Sequence, residues 1–106
     1  MKELLLILNK EDFNEVYTHE VETEIRPFSD FYIDKLLDFD KDGNWSVKEF
    51  DTVRFASGYG KNRPEIVVEC KGVFVEHDEV GEGEEFTEEN AQFVIDLGEI
   101  LEEKNC

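Results

Sequence analysis

The sequence predicts an α+β fold, mostly strands with two short helices, or a barrel with helices on its rim, on three observations. Several segments carry the alternating or continuous apolar pattern of strands, above all the run Ile66 to Val75. Two amphipathic stretches each follow a good N-cap residue, near Asn9 and at Ser29. The 106 residues, 40% of them hydrophobic, suffice for one core and no second one, so a single domain over 1–106 is expected.

The elements follow in chain order. Leu4 to Leu8 is an unbroken apolar run with an abrupt polar stop at Asn9, which predicts a strand buried on both faces. Asn9 or Lys10 opens an acidic first turn, Glu11 and Asp12, and Phe13, Val16 and Tyr17 recur at helical spacing up to Thr18, with His19 as terminator. From Val21 to Phe28 the residues alternate. Val21, Thr23 and Ile25 form the half expected to be buried, Glu22, Glu24 and Arg26 line the other face, and Pro27 ends the strand. Ser29 caps a helix to about Leu37, and a dense polar turn covers Asp38 to Ser46. Phe50 to Phe55 fits a helix by the spacing of Phe50 and Val53, and a strand by its β-branched and aromatic character. Gly58-Tyr59-Gly60 is a break, after which Ile66 to Val75 reads as one long strand with a glycine bulge at Gly72. His77 to Asn90 is acidic and glycine-containing with little that can pack, so an exposed loop is expected there. Phe93 to Leu101, interrupted by Gly98, closes the pattern as a strand.

Charge and apolar patterning narrow the function classes. A formal net charge of -17 repels phosphate backbones, so duplex nucleic acid held by counterion release is disfavoured. The acid either solvates the surface or suits a basic protein partner, as in a protein that imitates nucleic acid. The longest apolar run, Leu4 to Leu8, is far too short to span a bilayer, and Lys2 followed by Glu3 makes a poor secretory signal, so a cytoplasmic protein without a membrane partner is expected. Cys70 and Cys106 have neither metal-ligand spacing nor a disulfide framework, and free thiols are expected.

One segment has the spacing of a metal loop. Asp38, Asp40, Asp42, Gly43 and Glu49 match the twelve-residue calcium-binding pattern D-x-D-x-D-G-x5-E. Carboxylates at alternate positions, the Asn44 carbonyl, Ser46 beside a water and a bidentate Glu49 would surround Ca2+ with oxygens. Position 8 of that loop is the bulky Trp45, no second such loop exists in the chain, and the pattern needs an exit helix after Glu49. The alternative is a polar connection whose aspartates and glycine serve turn chemistry.

Leu4 to Leu8 and the Glu11 to Tyr17 helix are followed by Glu22-Thr23-Glu24-Ile25-Arg26 and the helix Ser29 to Leu37. In this order, and with the segments after them, they resemble the ASCH domain family of PUA-like β-barrels, Glu22 to Arg26 being similar to the family's T-x-E-x-R strand. Phe50-Asp51-Thr52-Val53-Arg54-Phe55 is similar to its G-D-x-V-x-F strand, with Phe50 in place of the glycine. Gly58 to Pro64 followed by Val67 to Val73 looks like a subgroup of small phage and bacterial proteins, and Phe93 to Leu101 resembles the last strand. The resemblance implies a mostly antiparallel PUA-like barrel with two short helices, and makes Phe50 to Phe55 a strand.

The family's members are RNA-associated or bind small ligands, and one subgroup resembles a hydrolase of N4-acylated cytidines that uses a Lys, a Thr and a Glu around the barrel cleft. In this chain Glu69 falls at the glutamate position, whereas Val21 and Glu22 fall at the lysine and threonine positions, with Thr23 one residue out of register. Without the amine, hydrolysis by that route is not expected, and no cofactor is required. The resemblance therefore implies a noncatalytic module for a nucleotide, a modified base or a short single-stranded RNA end. Its cleft candidates are Glu24, Arg26, Asp51, Tyr59, Lys61 and Glu69. Arg26 and Lys61 suit a phosphate or carboxylate, Tyr59 suits stacking on a base, and Glu24 and Glu69 suit the amino edge of a base. Read as structure alone, Glu24 and Arg26 form a surface ion pair, Tyr59 packs in a turn and Asp51 caps a loop.

Overall fold

The structure is a computed structural model that describes residues 2–79, 81, 83 and 85–106. Val80, Glu82 and Glu84 of the acidic segment 77–90 lie outside the described residues.

Among the described residues nine elements follow in order: β1 (Glu3–Leu8), α1 (Lys10–Tyr17), β2 (Thr23–Pro27), α2 (Asp30–Leu36), β3 (Leu37–Phe39), β4 (Trp45–Val47), β5 (Thr52–Ser57), β6 (Glu65–His77) and β7 (Ala91–Lys104). Five of the strands make one sheet in the order β1-β5-β6-β7-β2, parallel only between β1 and β5, and β3 and β4 pair as a separate hairpin. The fold is α+β, with two helices and a mostly antiparallel sheet strongly curled into a half-barrel.

The curl originates in β6 and β7. Thirteen residues at a rise of roughly 3.3 Å extend about 43 Å, close to the long dimension of 48 Å. The first part of β6 pairs with β5, while its last part lies across β7 from β2. Between the two parts the β6–β7 register shifts three times, from Val67 to Gly72, and such bulges bend the ladder and increase its twist. The glycine bulge expected within this strand is therefore present, and β7 runs through Gly98 instead of breaking there. A Cβ at Gly98 would collide with the Glu69 carboxylate, so the missing side chain is what lets Glu69 lie across β7.

Inside the curl, Leu4, Leu6 and Leu8 of β1, Val53 and Phe55 of β5, Ile66 and Val68 of β6, and Phe93 and Ile95 of β7 meet Phe13 and Val16 of α1 and Leu36 of α2. Burying a side chain the size of Phe55 or Phe93 contributes about 1.5–3 kcal/mol, and this shared core holds the helices on the sheet. Both helices start as the sequence indicates: Asn9 accepts from the Asp12 amide and Ser29 from the Tyr32 amide. α1 ends in a Schellman motif, with Glu20 N–H donating to the Glu15 carbonyl, His19 N–H to Val16, and His19 at φ 60°.

Four expectations are corrected. β1 is buried on one face only: Leu4, Leu6 and Leu8 face the core, and Leu5 on the opposite face remains exposed. β2 alternates with the opposite phase: Glu24 and Arg26 stand opposite the fully buried Ile95 and Phe93, and Ile25 points out, 55% exposed. The turn Asp38 to Ser46 contains a hairpin, β3–β4. In the acidic segment Phe86 does pack, stacked on His77 at 4.4 Å and edge-on to Phe28 at 6.1 Å. The ambiguous segment resolves as the strand Thr52–Ser57.

Candidate functional site

The inverted phase of β2 places a charged pair on the inner face of the half-barrel. Arg26 Nη2 lies 3.1 Å from Glu24 Oε1, and each side chain is only 16% exposed. Arg26 Nη1 donates to the Tyr32 hydroxyl at 3.0 Å, and the guanidinium carbon sits 5.7 Å from the Tyr32 ring centroid. Nε and Nη2 of Arg26 are buried with no hydrogen-bond partner among the described residues, the contact of Nη2 with Glu24 being ionic without hydrogen-bond geometry. Burial pushes the Glu24 carboxyl up from the usual range. Arg26 pulls the other way, and the negative charges of Asp12 and Glu15 on α1 add to the rise. A buried ion pair with open donors costs desolvation that its own attraction does not fully offset, so a ligand group accepting from Arg26 would complete it.

Tyr32 links this pair to a groove. About 220 Å³ of space lies between β1 and α2, lined by Leu5, Leu6 and Ile7 on one side, Phe31, Tyr32 and Lys35 on the other, and Tyr59. Phe31 and Tyr32 meet edge to face at 4.9 Å, Lys35 Nζ stands 5.7 Å from the Phe31 centroid, and Tyr59 is 84% exposed. Aromatic faces beside a cation and a buried guanidinium suit a planar ring carrying hydrogen-bond acceptors.

The other cleft candidates lie apart from this arrangement. Asp51 accepts from the Lys2 backbone N–H at 2.8 Å and so ties the start of β1 to the start of β5. Glu69 lies over Gly98 in a depression shared with His19, Glu22 and Lys71, away from Arg26. Lys61 is exposed in the turn that carries Tyr59. Glu24 and Arg26 are thus paired, and Tyr32 joins Arg26 to the groove that Tyr59 lines, whereas Asp51, Lys61 and Glu69 do not line that groove. Sequence reading missed Tyr32, Phe31 and Lys35; their signal was the helical spacing of Phe31 and Lys35 on a helix directly following β2.

Asp38 to Glu49 folds as a hairpin and its turn. Asp38 pairs with Ser46 and Phe39 with Trp45 across β3 and β4. The Asp40 carboxylate accepts from the amides of Asp42 and Asn44, both at 2.9 Å, and these bonds hold it below the usual carboxylate range. Gly43, at φ 84°, makes the left-handed step of the turn. Asp38 faces Lys48 at 4.0 Å, and no helix follows Glu49 before β5. Among the described residues no three His, Cys, Asp or Glu side chains are grouped to hold a metal ion.

Both thiols are free, and burial pushes the Cys70 thiol up, away from nucleophilic reactivity. Among the described residues no helix is long and apolar enough to cross a membrane. The chain matches no known protein family, no curated protein and no solved structure.

Proposed function

We propose that this chain is a noncatalytic, ASCH-like binding module of the cytoplasm that takes a nucleotide, a modified base or the end of a short single-stranded RNA beside Arg26 and Glu24. The observation that carries the reading is the inward-facing Glu24–Arg26 pair, in which two buried guanidinium nitrogens make no hydrogen bond among the described residues, joined through Tyr32 to an aromatic groove. Arg26 offers N–H donors to a carbonyl or phosphate oxygen, Glu24 accepts from an exocyclic amine, and Tyr32, Tyr59 and Phe31 offer ring surfaces for stacking. The net charge of -17 favours a ligand of one or a few nucleotides over a long polyanion. Val21 and Glu22, at the positions where the resembling hydrolases carry an amine and a hydroxyl, leave no group to activate an attack there.

Chemical-shift mapping with nucleosides and short single strands tests this reading. Perturbations are expected at Glu24, Arg26, Tyr32 and Tyr59; a spectrum unchanged at millimolar ligand excludes the proposal.

A further inference from the structure

A second groove lies on the other side of α2, and nothing in the reading above uses it. About 470 Å³ of space is lined by Phe28, Ile33 and Leu37, by Phe39, Gly43 and Trp45 of the hairpin, and by Glu85 and Phe86. Phe28 and Leu37 are buried and form its floor, whereas Phe39 and Trp45 are 54% and 41% exposed. Phe39 and Trp45 stand directly opposite each other on β3 and β4, so their side chains share one face of the hairpin. The Trp45 and Phe86 rings meet at 59° with centroids 6.2 Å apart, and Phe86 also stacks on His77 and meets Phe28 edge-on.

We propose that this groove is a binding site for a methylated ammonium group, walled by Phe39, Trp45 and Phe86. Rings inclined to one another at this separation leave a corner in which a cation can stand within about 6 Å of two centroids at once, where the ring quadrupoles attract it. Glu85 supplies a carboxylate at the wall, and the field of a chain with net charge -17 concentrates cations at its surface. The apolar floor disfavours a strongly hydrated ammonium and suits one whose methyl groups replace its water. The neighbouring Lys48 is engaged elsewhere, by Asp38 and the Asp34 carbonyl.

Trp45 is the one tryptophan of the chain, so its emission reports on this site directly. Choline, its neutral carbon isostere 3,3-dimethylbutan-1-ol and a short peptide bearing trimethyllysine are titrated against the full chain. Choline is expected to shift the emission saturably with a midpoint on the order of 1–10 mM, and the isostere to bind about tenfold more weakly. Tighter binding of the peptide identifies a methylated protein side chain as the source of the cation, and equal binding a free quaternary ammonium. Phe39→Leu is expected to weaken choline about tenfold, and Glu85→Gln severalfold with a flatter salt dependence. Because Phe39 and Glu85 are exposed, both variants are expected to fold. No saturable response to choline or to the peptide at 100 mM, or an isostere that binds as well as choline, overturns the proposal.

Discussion

Arg26 and Tyr32 are joined twice, by a hydrogen bond of 3.0 Å from Nη1 to the hydroxyl and by the guanidinium lying 5.7 Å from the ring centroid. The contact spans six residues of sequence and fixes the start of α2 to β2. Tyr32→Phe keeps the ring and removes the acceptor, leaving Nη1 as well as Nε and Nη2 of Arg26 without a hydrogen bond among the described residues. A loss of about 1–2 kcal/mol in urea unfolding is expected, the cost of one unsatisfied donor to a charged group.

Glu24 makes stability depend on pH in the direction opposite to most carboxylates. Its folded pKa is raised, chiefly by burial, so the folded chain binds more protons than the unfolded one between the unfolded and folded values. Stability contributed by this group is full below the unfolded value and falls as pH rises through the folded one. Glu24→Gln is expected to remove that fall, so the variant gains on the wild type as pH rises. Thermal unfolding of both chains from pH 4 to pH 8 checks the sign.

His19 holds the left-handed C′ position of α1 at φ 60°, where a side chain is strained. His19→Gly is expected to stabilise the chain by about 0.5–1 kcal/mol despite the added freedom of the unfolded state. A rise in melting temperature measures it.

Asp40 organises the hairpin turn through the amides of Asp42 and Asn44. Asp40→Ala is expected to increase amide exchange across β3 and β4 while leaving the five-stranded sheet protected, since the hairpin is a separate sheet.

Much of the fold was legible because single residues carried it: Asn9 and Ser29 as caps, and Gly72 inside an apolar run as the bulge in β6. The site was less so. Alternation along Thr23 to Pro27 is plain, but its phase is not, because a charged pair can face inward when a partner such as Tyr32 lies on the next element. The Asp38 to Glu49 spacing gives no sign of the β3–β4 hairpin, because that lies in the pairing of Phe39 with Trp45, which no spacing rule reports. Phe86 was hidden for a similar reason: its partners Phe28 and His77 come from other parts of the chain.

Arg26 is proposed as the anchor of a nucleotide-sized ligand. Isothermal titration of the four nucleoside 5′-monophosphates into the wild type and Arg26→Gln, with circular dichroism to confirm that both are folded, measures it most directly. At least one monophosphate is expected to bind the wild type saturably and Arg26→Gln to bind it at least about tenfold more weakly, a difference of roughly 1.4 kcal/mol. Absence of saturable binding by all four, or equal affinity in the variant, would contradict it.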